Sequence, residues 1–209
     1  RSVSIHTESI TDQCYDLIWK KILNKEYLPG EQIPTKQIAE DNGISVMPVR
    51  LALRELTNNG IVLNKARVGF FVRDFTNQEM LDISRTRRMY EIYGLENYFS
   101  YLNLDRLREI YDVIYENEGD KFSNIKYQES DLALHSEFVL GIPNAFLKRE
   151  YIRLKPLFAM VMIRDSSMED ILVSREEHLD ILRNIFSNDQ EGTIRALAKH
   201  LDRVELSIS

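Results

Sequence analysis

One carboxylate and three imidazoles are the residues here with the most chemistry to offer. Asp131 and His135 sit in the stretch D-L-A-L-H, His178 in E-E-H-L-D-I-L and His200 in A-K-H-L-D-R-V; the only other histidine is His6. Asp131 and His135 are four residues apart, so on a helix both side chains leave one face, about 6 Å apart along the axis. His178 and His200 are 22 residues apart. If they lie on two antiparallel helices joined by a tight turn near Asn188, their rings reach matched heights and can face the Asp131–His135 pair. A carboxylate oxygen with three imidazole nitrogens suits Zn²⁺, Ni²⁺, Mn²⁺ or Fe²⁺, with coordination positions left for water or an organic ligand. The ordinary alternative is that each histidine sits alone at the polar edge of its helix, hydrogen-bonded and inert. Spacing by itself leaves both open.

The elements that must position these residues read as helices. Thr76 and Glu79 make a capping box that predicts a long helix to about Tyr101. Asn103 caps a second to about Asn117, a third runs from about Ser123 to Leu140, and Asn144 caps a fourth to about Asp165. A fifth covers about Met168 to Phe186 and the last Asp189 to about Leu206. No internal repeat and no alternating strand pattern interrupts them. Six helices of this length fold most economically as an antiparallel bundle.

The first third of the chain is organised differently. Ile10, Cys14, Leu17, Ile18 and Ile22 recur at helical spacing and predict a helix to about Glu26, before Leu-Pro-Gly at 28–30. Thr35 to Asn42 fits a second short helix that Gly43 ends. Ser45 stands as N-cap of a third, with Pro48 in its first turn, where a missing N–H removes no intrahelical bond. Ile61–Leu63 and Phe70–Val72 then flank a basic turn with Lys65 and Arg67, a hairpin signature. Three helices and a two-stranded ribbon are the winged helix-turn-helix order, whose third helix enters the DNA major groove. Arg50 and Arg54 on that helix also fit a solvated face pairing with Glu55 or Asp41.

Composition sets the outer bounds. The chain has 209 residues, 44% hydrophobic and 29% charged, enough to bury two modest cores, which the patterns divide into 1–75 and 76–209. Cys14 is the single cysteine, so no internal disulfide framework exists, and a cytoplasmic, reducing compartment is expected. The apolar run Leu157–Ile163 would cross only about a third of a bilayer core, so no membrane partner is expected. The net charge of −6 conceals an asymmetry. Residues 1–73 carry ten Lys/Arg against eight Asp/Glu, and the remainder seventeen against twenty-five. Nucleic-acid binding, if present, belongs to the first part.

At this point the residues resemble a known family. L-P-G-E-Q-I-P-T-K-Q-I-A-E-D-N-G-I-S-V-M-P-V-R-L-A-L-R-E-L, closed by G-F-F-V, is similar to the GntR-type DNA-binding domain over about residues 10–73. The resemblance implies that Lys36, Ser45, Met47, Arg50 and Gly69 meet double-stranded DNA. Val46 occupies the position where the family usually has a guanine-reading arginine; it cannot form that bidentate contact but can pack against a thymine methyl. Behind this domain, D-x-x-x-H, E-H-x-x-I-L and the terminal H-L, with R-R-M-Y-E (Arg87, Glu91) and G-I-P-N-A-F-L, resemble the FCD effector domain of the FadR subfamily in its metal-binding branch, over about residues 76–206. The resemblance implies Asp131, His135, His178 and His200 as ligands of a divalent ion, zinc foremost. It also implies a small carboxylate effector completing the coordination, and Arg87 as the cation that pairs with it. Arg164 is a weaker candidate. The function expected is that of a bacterial, homodimeric transcriptional regulator, a repressor by the commoner logic, cytoplasmic and nucleoid-associated when bound to a pseudo-palindromic operator. Two other readings remain: a metal-dependent hydrolase or oxygenase fused to DNA-binding helices, and a purely structural metal. Against an enzyme, the spacing shows no general base beside the four ligands, since Glu177 and Glu137 leave their helices in other directions than His178 and His135.

Overall fold

The computed structural model describes residues 9–163 and 167–208. The chain divides into two compact units, 1–75 and 76–209.

In the first unit, α1 (Ile10–Leu23) opens on a capping box between Ser9 and Asp12 and buries Cys14, Ile18 and Ile22. It stops three residues short of the expected end, because Lys25 takes a left-handed φ of 58°. α2 (Thr35–Asp41) and α3 (Val46–Asn58) follow. Val49, Ala52, Leu53 and Leu56 of α3 are fully buried and pack against α1. Their spacing leaves Met47, Arg50 and Arg54 on the opposite, exposed side. Ser45 holds the N-cap position with extended backbone, yet its side chain makes no capping hydrogen bond. The hairpin pairs β1 (Val62–Lys65) with β2 (Gly69–Val72) antiparallel, Lys65 opposite Gly69. The 31–33 segment lines up beside β2: Ile33 N–H donates to Phe70 O at 2.8 Å and Val72 N–H to Glu31 O at 2.9 Å. Arg67 at φ 63° and Gly69 at φ 139° turn the ribbon tightly.

The second unit is a helical bundle of α4 (Asn77–Tyr98), α5 (Leu104–Glu116), α6 (Asn124–Leu140), α7 (Ala145–Met162), α8 (Met168–Phe186) and α9 (Gln190–Leu206). The expected capping box forms: Thr76 accepts from Glu79 N–H and Glu79 reaches back to the Thr76 N–H. Its core gathers Leu95, Leu107, Leu134, Phe138, Phe158 and Leu182 with their neighbours. α8 and α9 meet through a tight turn in which Asn188 has φ 57° and Asp189 caps α9 by accepting from Gly192 N–H at 2.8 Å. α4 is unusual. Its buried positions include Ser84, Arg87 and Glu91, so a polar stripe faces the interior. α7 contains Pro156, which leaves the Ile152 carbonyl without its helical donor on a half-exposed turn. No helix of the described residues is long and apolar enough to cross a membrane.

Candidate metal centre and nucleic-acid face

The bundle brings the three imidazoles together at its centre. His135 from α6, His178 from α8 and His200 from α9 are all buried, and each offers a nitrogen within 4.8 Å of the others. His178 Nε2 lies 3.2 Å from His135 Nε2 and 3.2 Å from His200 Nε2. Asp131 Oδ1 is 3.3 Å from His135 Nε2 and 3.5 Å from His178 Nε2. Ligand atoms about 2.0–2.1 Å from a divalent ion stand roughly 2.8–3.4 Å apart at adjacent octahedral or tetrahedral positions. The spacing therefore suits an ion at the common point.

Each ring is held from behind through its other nitrogen. His135 Nδ1 is 2.7 Å from Glu91 Oε2, His200 Nδ1 is 2.7 Å from Glu177 Oε2, and His178 Nδ1 is 3.0 Å from the Tyr127 hydroxyl. Glu177 is itself gripped by Arg203, whose Nε donates to its two oxygens at 2.9 and 3.0 Å. When the carboxylates are ionised they accept from Nδ1–H, which leaves Nε2 of His135 and His200 as lone pairs aimed at one another's neighbourhood. Those lone pairs need a partner, which either a cation or the Nε2–H of His178, 3.2 Å from each, can be; imidazoles backed in this way by carboxylates are the usual surroundings of a metal-bound histidine.

Electrostatics point the same way. Burial, reinforced by nearby cationic groups, lowers His135 and His178 well below the ordinary imidazole range. Burial also lowers His200, against the pull of Glu177. All three are thus neutral, as ligands must be. Burial pushes Glu91 and Asp131 up to about 7, although Arg87 draws both down. Partial burial pushes Glu177 up as well, but hydrogen bonds from His200 and Arg203 hold it at about 2. Arg87 is 2% exposed, with Nε 3.3 Å from Glu91 Oε1, and that Nε has no hydrogen-bond partner. Asp131 Oδ1 is likewise buried without one. Buried orphans of opposite sign around converging lone pairs are chemically suited to a cation with an anionic co-ligand.

Sequence reasoning did not anticipate the outer ring. Glu177 does leave its helix away from the centre side of His178, but it reaches His200 on α9. Glu91 joins His135 across 44 positions. Tyr127 carried a usable signal, standing four residues before Asp131 and eight before His135 on the same face of α6. Arg164 lies outside the described residues.

In the first unit, Lys36, Val46, Arg50 and Gly69 line one groove, where Arg54, Lys65 and Arg67 join them. Ser45 and Met47 stand exposed at the start of α3, Met47 at 61%. Lys65 Nζ sits 4.1 Å over the Phe71 ring, which fixes one cation on the wing. Gln32 Nε2 donates to Val68 O at 2.9 Å and would collide with a Cβ at Gly69. The groove is positively charged and rimmed by a helix N-terminus, features suited to phosphate.

Comparison with known proteins accords with this division. Residues 10–72 match the gntR family of bacterial regulatory proteins and residues 102–203 match the FCD domain. The HTH-type transcriptional regulator YdhC of Bacillus subtilis strain 168 is 33% identical over 75 residues; the match covers 36% of this chain and 34% of YdhC, about a third of each. LgoR of Escherichia coli K12, also named as an HTH-type transcriptional regulator, is 20% identical over 97% of this chain and 70% of its own. A GntR transcriptional regulator from Rhodococcus sp. RHA1 shares the fold, with a TM-score of 0.82 at 18% identity over 95% of this chain and 96% of that one. The Zn²⁺-bound FCD domain of TM0439 aligns with a TM-score of 0.58 at 26% identity, over 65% of this chain and 94% of that domain.

Proposed function

We propose that this chain, which belongs to the gntR family of bacterial regulatory proteins and carries an FCD domain behind its DNA-binding head, is a transcriptional regulator that senses a small carboxylate at a metal centre. Asp131, His135, His178 and His200 hold a divalent ion, Zn²⁺ foremost, as a Zn²⁺-bound FCD domain at 26% identity would suggest. A bound ion would supply a Lewis-acidic seat for one oxygen of the acid; Arg87, whose Nε has no hydrogen-bond partner, would take another. The observation that carries this reading is the convergence of three Nε2 atoms, each backed at Nδ1 by Glu91, Tyr127 or Glu177. Both carboxylates behind the histidines are already engaged, Glu91 with His135 and Arg87 and Glu177 with His200 and Arg203, which disfavours a hydrolytic base.

The head reads DNA through Lys36, Ser45, Val46, Met47, Arg50 and Gly69. Lys36, Arg50 and the uncapped Ser45 hydroxyl serve phosphates or base edges, and Val46 contributes apolar contact. The regulator acts as a cytoplasmic homodimer on a pseudo-palindromic operator, and the acid releases it, so the output is repression. A binding site selected from random duplexes tests this. Arg50→Ala should weaken binding roughly 5- to 150-fold, or shallow the salt dependence by about one unit if the contact is to phosphate. Unchanged affinity across several salt concentrations would remove α3 from the interface. Chelation should leave DNA binding and abolish the response to acids; a normal response after chelation would sink the metal's role.

A further inference from the structure

Buried polar atoms in folded proteins nearly always have hydrogen-bond partners, so exceptions mark places built for something else. Among the described residues, the buried side-chain atoms without a partner are Ser84 Oγ, Arg87 Nε, Glu91 Oε1 and Asp131 Oδ1. Three of these four residues already belong to the metal-centred site. Ser84 is the one without a role, and its position is not accidental: 84, 87 and 91 fall at i, i+3 and i+7, one stripe of α4 turned inward.

A buried helical hydroxyl ordinarily donates to the carbonyl four residues earlier. Ser130 does so to Lys126 O at 2.8 Å and Ser136 to Leu132 O at 2.6 Å, both on α6. Thr193 does the same to Asp189 O at 2.7 Å. Ser84, 0% exposed, makes no such bond. An alanine there would bury no orphan, so stability does not account for the hydroxyl. Arg85 and Arg88, side by side next to this stripe, pin α4 to α9 through Glu205 and Asp202, which helps fix the inward direction of the face.

We infer that Ser84 reads the ligand of this site, and that the ligand is a hydroxylated carboxylate: the acid group bridges the ion and Arg87, and a hydroxyl further along its chain meets Ser84 Oγ. This rests on the carboxylate reading given above. A bare carboxylate has oxygens for the ion and for Arg87 but nothing for Ser84. Ser84 lies one turn from Arg87, about 4.5 Å along the axis of α4, so hydroxyls two and three carbons from the acid are the ones to probe. A serine hydroxyl both donates and accepts, as an alcohol partner requires.

The test uses the full chain loaded with Zn²⁺ and three probes, butyrate, 3-hydroxybutyrate and 4-hydroxybutyrate, in calorimetric titrations. At least one hydroxy acid should bind about 10-fold or more tightly than butyrate, since its absence leaves Ser84 unpaired. Ser84→Ala should level that difference, keep butyrate affinity and zinc content, and leave the melting temperature of the ligand-free protein unchanged or raised. A merely structural serine would lower it. Equal binding of all three acids by the parent, or a preference that survives Ser84→Ala, overturns the inference. If butyrate binds and Arg87→Ala abolishes it while no hydroxyl preference is seen, the carboxylate reading stands and only the role of Ser84 falls. If no acid binds, both fall.

Discussion

At the scale of single residues, the centre is a problem of protons. Metal uptake requires neutral imidazoles and an ionised Asp131, and below about pH 7 the folded chain supplies the first but not the second. Asp131, raised to about 7 by burial, keeps its proton below that pH and would surrender it to a cation bound at the proposed centre. Glu91, also raised to about 7, does the same as it turns acceptor for His135 Nδ1–H. A group whose pKa is raised holds its proton below the raised value, so the sign is fixed: Zn²⁺ binding should release one to two more protons at pH 6 than at pH 8. Titration calorimetry in buffers of different ionisation enthalpy measures this, and equal release at both pH values would contradict the protonation assigned to Asp131 and Glu91. The four inner residues were legible in the sequence because helical spacing and one turn determine where they meet. The outer ring was not, because Glu91 and Glu177 reach histidines on other helices, and only packing decides which rotation of α4 faces α6.

At the scale of elements, one contact sets that packing and another holds the end of α5. α4 and α6 approach so closely at Gly94 that a Cβ there would lie 2.2 Å from the Phe138 carbonyl oxygen. Gly94 is one turn beyond Glu91, so the same close approach lets Glu91 reach His135. Gly94→Ala should cost roughly 1–3 kcal/mol as overpacking does and weaken zinc binding in parallel; a variant with parental thermal midpoint and zinc affinity would show the approach to be incidental. α5 depends on Arg175 of α8. Its Nε donates to Ile114 O and Asn117 O at 3.0 and 3.1 Å and its Nη2 to Tyr115 O at 2.7 Å, satisfying the last carbonyls of the helix. Arg175→Ala should lose roughly 2–3 kcal/mol in denaturant unfolding, and Arg175→Lys should recover only part, lacking the planar fork. One helix start was readable from Thr76–Glu79, since a capping box is local chemistry. Helix ends were less so: nothing before Lys25 announces that α1 stops at Leu23, and Ser45 sits at a cap position without capping, its hydroxyl exposed instead.

At the scale of the whole molecule, the division into a basic reader and an acidic bundle was visible in charge and pattern alone, because each unit has its own periodicity and core. On the proposed function, coupling between them would be thermodynamic: an acid that bound one state of the bundle better would shift operator affinity by its differential affinity and no more, about 5- to 150-fold for a coupling of roughly 1–3 kcal/mol. Reciprocity then requires the selected DNA site to weaken acid binding by the same factor, and a fluorescence titration of the acid with and without DNA checks it. Everything in that scheme depends on the ion. X-ray absorption at the zinc edge, on full-length protein given one equivalent of Zn²⁺, examines it most directly. The expected first shell contains nitrogen and oxygen at about 2.0–2.1 Å with the outer-shell scattering of three imidazole rings, and that scattering diminishes in His178→Ala. A shell of water oxygens alone, or one containing the sulfur of Cys14, would contradict the metal centre assigned to Asp131, His135, His178 and His200.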